Sequence, residues 1–266
     1  MKSMLEQGVI DIMQEELDLF KKDRSITNRN NIPDTKEIPI ENRQLWLKIP
    51  NVICVFCDLI GSTQLCADKQ DKTTAKVYHL FTDSITRIFD YYESPYIDIK
   101  GDGVFALFNS SSSYRALVAA VTVKTVVEKI IEPKIRQLTG ESHGAHIGID
   151  QDSVLVRKLG LKRYGDRTDR QNEVWAGSPV NMASKLASMT QSGELLVSDR
   201  FFSNIQNDLV IKSCDCGDGP QDLWTETSVE DDPKFDFKKA FMLKSIWCPH
   251  HGLEYIRKIL ALDDGD

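Results

Sequence analysis

The apolar positions of this chain change period several times, and each change marks an element. Leu5, Val9, Ile12, Met13, Leu17 and Phe20 recur at helical spacing with acids between them, predicting an amphipathic helix over residues 4–20 that must dock on something. The polar stretch Ser25–Glu37 contains Pro33 and reads as a linker ending near Trp46. Val52–Cys57 is a β-rich apolar run between Pro50 and Asp58, short enough for a buried strand. Helical periodicity returns over Thr73–Tyr92 through Val77, Leu80, Phe81, Ile85, Ile88 and Phe89. Two short strands, Tyr96–Ile99 and Val104–Phe108, flank Lys100-Gly101-Asp102-Gly103, which has the glycine content of a tight hairpin turn. A helix is expected from Tyr114 to about Ile131, stopping ahead of Pro133. Strand-like runs Gly144–Ile149 and Val154–Leu159 then flank Asp150-Gln151-Asp152. A helix over Pro179–Met189 and a strand over Glu194–Val197 follow, and after Phe202 the pattern becomes irregular.

The order β, α, β, β, α, β is a split βαβ arrangement, so the expected class is α+β, an antiparallel sheet with helices on one face. The expected organisation is an N-terminal helix and linker over residues 1–45, a main domain over 46–205 and an extension over 206–266.

Composition narrows the function classes. With 41% hydrophobic and 27% charged residues in 266, the chain has ordinary globular usage. Forty acids against 33 Lys and Arg, a net charge of −7, give no electrostatic reason to expect a nucleic-acid partner. The longest apolar stretch, Ala116–Val123 between Arg115 and Lys124, is far short of the roughly 20 residues that span a bilayer. No secretion signal is legible near Met1, and the six cysteines read as reduced thiols. Cytoplasmic residence is the expectation.

The sharpest chemical signal is Val55-Phe56-Cys57-Asp58-Leu59-Ile60-Gly61-Ser62-Thr63, a strand that delivers a carboxylate into a small-residue turn. Exposed N–H groups of Gly61, Ser62 and Thr63 would cradle phosphate, while Asp58 would hold a hard cation sharing it. Asp102 converges on Asp58 if the hairpin strands flank the first strand, and two such carboxylates suit two-metal phosphoryl chemistry. Read singly, each is also an ordinary cap or turn aspartate. In Trp175-Ala176-Gly177-Ser178-Pro179-Val180-Asn181-Met182-Ala183-Ser184-Lys185, Pro179 opens a helix on which Asn181 and Lys185 share one face. That face suits a ribose and a phosphate, or is simply solvated. His79 reads as a packed or surface histidine.

The runs FCDLIGST, KGDGVFALF, HIGID, VNMASKL and GELLVSD, in that order over about residues 50–200, resemble the successive motifs of class III nucleotidyl cyclases. The resemblance implies a ferredoxin-like domain in a head-to-tail homodimer with sites at the interface. It implies conversion of a nucleoside triphosphate to a 3′,5′-cyclic monophosphate and pyrophosphate with two Mg2+ or Mn2+ ions. By it Asp58 and Asp102 are metal ligands helped by the Ile60 carbonyl, and the partner subunit's Asn181 orients the ribose. Three positions depart from the pattern. Asp98 stands where the purine-reading lysine or glutamate belongs, Lys185 replaces the transition-state arginine without its bidentate fork, and His146 occupies a terminal-phosphate arginine position. The late phosphate lysine has no counterpart in CDCGDGPQDLW, and Arg157 and Lys158 are candidates to compensate.

The altered base position, the short helical N-terminus and the WAGSPVN segment look most like the Pycsar pyrimidine cyclases of bacterial antiphage defence. That resemblance implies UTP, ahead of CTP, as substrate and a separate effector protein that answers the product. Asp98 and the partner subunit's Trp175 are then candidate walls of the base pocket, though Trp175 equally suits interface packing. A purine (adenylate) cyclase and a non-catalytic nucleotide-sensing module are the alternatives. Separately, Cys214, Cys216, Cys248 and His251 have Cys-x-Cys and Cys-x-x-His spacings that suit a structural zinc site, or remain free cysteines.

Overall fold

A computed structural model describes residues 4–161, 170–216 and 219–265. Its elements in chain order are α1 (Gln7–Phe20), β1 (Ser25–Asn28), β2 (Leu45–Leu59), α2 (Ser62–Asp68), α3 (Asp71–Tyr91), β3 (Tyr96–Lys100), β4 (Gly103–Phe108), α4 (Ser113–Val126), α5 (Glu132–Thr139), β5 (Ala145–Leu161), β6 (Arg170–Gly177), α6 (Ser178–Met189), β7 (Leu195–Ser198), α7 (Asp199–Phe202), α8 (Asp208–Ile211), β8 (Trp224–Ser228), β9 (Lys239–Leu243) and α9 (Gly252–Ala261). The class is α+β, as the sequence predicts. Two compact units are present, one of residues 1–49 with 155–175, the other of residues 50–154 with 176–266.

In the larger unit the strand order is β3-β4-β2-β5-β7-β9-β8. Its first four strands have the order of a ferredoxin-like sheet, built by antiparallel pairing of β2 with β4 and of β3 with β4. Alternation sends Ile53, Val55 and Cys57 of β2, with Val104, Ala106 and Phe108 of β4, to one face. There Val77, Phe81, Ile85 and Phe89 of α3, one helical turn apart, are completely covered. Each such side chain contributes about 2 kcal/mol of burial. Helix α4 is apolar on nearly every side because it is buried on nearly every side, α9 packing against it as well as α3 and β7.

On the other face α6 lies directly on β5. A Cβ on Gly148 would meet the Ala183 carbonyl oxygen at 2.1 Å, so only glycine admits the helix there. The neighbouring Ile147 and Ile149 point into the α3–α4 core.

Three expected boundaries move for physical reasons. The helix begun at α4 does not stop before Pro133 but passes through a π-helical turn over Val127–Ile131 into α5, with Pro133 in its first turn. The wider turn accommodates the ring and the missing N–H. The two runs around Asp150-Gln151-Asp152 are one strand, β5. Asp150 is completely buried yet stays in the strand because Arg200 of α7 binds it through two nitrogens, while also contacting Asp152 at 3.1 Å and Asp236 at 3.2 Å. The irregular tail supplies two more strands: β9 pairs antiparallel with β7 and β8 with β9. The tail is stitched to α4 at both ends of that helix. Asp263 accepts the Tyr114 and Arg115 backbone N–H groups at 3.0 and 2.7 Å, and the buried Lys124 donates to the Lys244 and Ser245 carbonyls.

In the smaller unit, β1 occupies part of the expected linker and pairs parallel with Leu45–Lys48 of β2, and β6 pairs with β5. Arg43 reaches back to Glu15 and Glu16 of α1, whose Val9, Ile12, Met13, Leu17 and Phe20 remain exposed. The docking expected of this helix is not seen among the described residues. No helix among them is long and apolar enough to cross a membrane.

Replacing Arg200 with alanine leaves the buried Asp150 carboxylate without its cation. Arg200→Ala should therefore cost about 3–5 kcal/mol in equilibrium urea unfolding. A loss under about 1 kcal/mol would mean the pair has only the worth of a surface contact.

Candidate active site

The register Cys57↔Val104 places Asp58 one residue beyond the last β2–β4 pair, beside the turn that carries Asp102. Gly101 turns the chain with φ of +67°, a value that favours glycine. Gly103 clears the space between the two carboxylates, for a Cβ there would stand 3.1 Å from Asp58 Oδ1 and 3.2 Å from Phe56 Cζ. The carboxylates of Asp58 and Asp102 adjoin closely enough to act on each other, and Asp102 Oδ2 is buried with no hydrogen-bond partner among the described residues. Burial, then the Asp102 charge and the contact with Asp102, push Asp58 up to about 6.

Two adjoining carboxylates, one with an orphaned buried oxygen, are the donor set of a hard divalent cation. The residues present fit such an ion, and its charge would relieve their mutual repulsion.

The loop after β2 is fixed from behind. His143, buried, donates its Nδ1–H to the Ile60 carbonyl at 2.9 Å, and the Ile60 N–H donates to the Gly144 carbonyl at 3.1 Å. The Ile60 oxygen keeps a second lone pair for another partner. Gly61 is left-handed, with φ of +75°, and a Cβ there would approach His143 Nδ1 to 3.2 Å. Ser62 and Thr63 open α2. Tyr78 of α3 bonds Cys66 through its hydroxyl at 3.3 Å and also meets Ser62. The Cys66 contact, burial and the nearby Asp102 charge push that hydroxyl up to about 12. Neither His143 nor Tyr78 was flagged by the sequence. Their link to the site is spatial, and nothing in the residues next to them signals it.

The remaining expected residues are distributed as follows. Asp98 of β3 accepts the Ile99 N–H at 2.8 Å and pairs with Lys100 Nζ at 2.8 Å. His146 donates its Nδ1–H to the Thr190 carbonyl at 2.7 Å, at the end of α6. Asn181 is exposed and reaches the Gly177 carbonyl at 3.4 Å, while Lys185 Nζ donates to the Lys234 carbonyl at 2.6 Å. Among the described residues, no hydrogen bond or ion pair joins Asn181 or Lys185 to Asp58 or Asp102.

In the smaller unit Arg157 is buried and spends its guanidinium on backbone, donating to the Arg43, Ile40 and Lys158 carbonyls beside the Trp46 ring. Lys158 lies 3.6 Å from Glu173, and Trp175 is buried on β6. His79 is on the surface of α3. Gly217 and Asp218 of the CDCGDGPQDLW stretch lie outside the described residues.

Residues 47–215 match the adenylate and guanylate cyclase catalytic domain. The chain is 36% identical to a uridylate cyclase of Propioniciclava tarda over 85% of its own length and 74% of that protein. It is 32% identical to a uridylate cyclase of Micromonospora echinofusca over the same shares. Among solved structures it resembles the guanylyl cyclase Cya2, with a TM-score of 0.60 at 16% identity, covering 76% of this chain and 95% of that one.

Gly61→Ala would force a left-handed alanine against His143. It should lower the urea midpoint by the equivalent of about 1–2 kcal/mol without changing the m-value. An unchanged midpoint would show that the loop relaxes out of this conformation without penalty.

Proposed function

The chain belongs to the adenylate and guanylate cyclase catalytic-domain family, and on that premise we propose that it cyclises a pyrimidine nucleoside triphosphate, UTP ahead of CTP. The 3′-oxygen attacks the α-phosphorus, the α–β bridge bond breaks, and the 3′,5′-cyclic monophosphate leaves with pyrophosphate as coproduct. The main support is the adjoining Asp58–Asp102 pair, with its orphaned oxygen, in a chain 36% identical to a uridylate cyclase.

In this reading Asp58 and Asp102, with the free lone pair of Ile60, would hold two Mg2+ or Mn2+ ions. Such ions supply Lewis-acid neutralisation of phosphate charge and acidify a bound hydroxyl. The chain's own groups do the rest. Gly61, Ser62 and Thr63 offer N–H donors to the phosphate oxygens, and Phe56 walls the site next to Gly103. Asp98 with Lys100 presents an acceptor beside a donor, the complement of the N3–H and O4 edge of uracil.

Asn181 and Lys185 sit on α6, on the far side of β5 from the α3–α4 core, and do not reach the carboxylates of their own chain. A head-to-tail homodimer would bring the partner subunit's Asn181 to the ribose and the partner subunit's Lys185 to the reacting phosphate. Lys185 would then exchange the Lys234 carbonyl for that phosphate. The partner subunit's Trp175 would wall the base. Since Arg157 is committed to backbone carbonyls, Lys158 and His146 are the better remaining candidates for the terminal phosphates. The product would serve in the cytoplasm as a second messenger for a separate effector in antiphage defence, from a catalytic domain over residues 46–205 flanked by segments 1–45 and 206–266.

Purified protein supplied separately with ATP, GTP, CTP and UTP, with Mg2+ or Mn2+, should yield cyclic UMP as the dominant product by mass spectrometry. Cyclic AMP or cyclic GMP in its place would make this a purine cyclase, and no product from any of the four would favour the nucleotide-sensing module. Asp102→Asn should cut turnover by about a hundredfold or more, several kcal/mol of transition-state stabilisation. It should leave the melting temperature of the metal-free protein unchanged or raised, because it relieves repulsion at Asp58. Full turnover in that variant would sink the assignment of Asp102.

A further inference from the structure

The strongest constellation outside the cyclase site lies in the segment after α8. Cys214, Cys216, Cys248 and His251 each offer one ligand atom, and the four atoms all lie within 4.8 Å of one another. Cys216 Sγ is 3.7 Å from Cys248 Sγ and 3.1 Å from His251 Nδ1. With zinc–sulfur bonds of about 2.3 Å, two thiolates on a tetrahedral ion stand about 3.8 Å apart. The Cys216–Cys248 pair therefore already has the separation that a shared tetrahedral ion requires.

The ligands arrive on two separately anchored pieces of chain. Cys214 and Cys216 follow Lys212, which bridges Asp222, and the Ser213 N–H donates to the Gln221 carbonyl at 2.8 Å, closing their loop. Cys248 and His251 lead into α9. Trp247 ahead of them is pinned to α4, its indole donating to Thr122 Oγ1 at 2.9 Å and its backbone N–H to Thr125 Oγ1. Gly252 N–H donates to the Cys248 carbonyl at 2.7 Å, which fixes the turn that carries Cys248 and His251. The separation of 32 positions between Cys216 and Cys248 is long for a compact finger. The β8–β9 hairpin takes up most of that length and returns the chain to its starting point.

We propose that Cys214, Cys216, Cys248 and His251 bind one structural Zn2+ that clamps the loop after α8 to the start of α9. Four protein ligands close the coordination sphere, so no position is left for substrate or water. The clamp also closes one wall of an apolar cavity of about 230 Å3, lined among others by Leu209, Leu223, Trp224, Trp247 and Tyr255. Without the ion, three sulfurs and an imidazole would sit together unbridged, Cys216 exposed and the other three half-buried.

The test uses untagged full-length protein purified without chelator. Elemental analysis should find about one zinc per chain, retained when Mg2+ and Mn2+ are omitted. Cobalt exchanged into the protein should give a thiolate charge-transfer band in the near ultraviolet and the intense visible bands of a tetrahedral site. Cys248→Ser should abolish both, whereas Cys66→Ser, away from the cluster, should keep them. Whether or not Cys248→Ser folds, the wild-type cobalt spectrum decides on its own. A zinc-free preparation whose cobalt titration yields only weak octahedral bands overturns the proposal whatever the variants do. The metal readouts do not depend on turnover, so failure of this site and failure of the cyclase reading are distinguishable.

Discussion

Two carboxylates held in contact at the end of a sheet are the constraint around which this molecule is arranged. Asp58 and Asp102 repel, and among the described residues no basic side chain is paired with either to offset the cost. Only the strand register keeps them together: β2 and β4 are locked by a core of branched and aromatic side chains under α3 and α4. Gly103 carries no side chain to crowd the Asp58 carboxylate, and His143 pins the loop behind it. A fold that holds like charges together at its own expense is preorganised for a cation, since the repulsion is met in folding and recovered on binding. The hydrophobic core thus acts at the site without contacting substrate, by denying the two aspartates any way apart.

Much of this was legible because it is local. Helix α3, the β3–β4 hairpin and α6 announce themselves through period and punctuation and lie within a few residues of expectation, whereas the strand before Asp58, expected from Val52, already begins at Leu45. What was not legible depends on partners distant in sequence. Asp150 and Asp152 read as a turn because two acids in three residues seldom belong inside a sheet, and Arg200 explains them. Ser25–Asn28 looks like linker because it opens a polar, proline-containing stretch, and its strand character comes from pairing with Leu45–Lys48 while all four residues stay exposed. Pro133 is a sound helix stop by local rules, and a single π-helical turn overrides it.

The site divides in the same way. Asp58, Asp102 and the Gly61 turn are readable from residue types at known spacing, and so are the four members of the cysteine–histidine cluster. His143 and Tyr78 were invisible because their significance lies in which atoms they face. Arg157 shows the opposite failure. Its charge and its place near the sheet suggested an anion, yet its donors all end on carbonyl groups, where a buried guanidinium is also satisfied.

Cys54 and Cys57 lie in β2, wholly covered, and burial holds both thiols well above their ordinary range. They are therefore inert toward alkylating reagents while the strand is seated, and become reactive only when it opens. Cys57 immediately precedes Asp58, so any excursion that bares this sulfur also takes the carboxylate out of register with Asp102. The rate of native-state alkylation at these two positions is thus a clock for how often the paired carboxylates come apart, built into the strand that carries one of them.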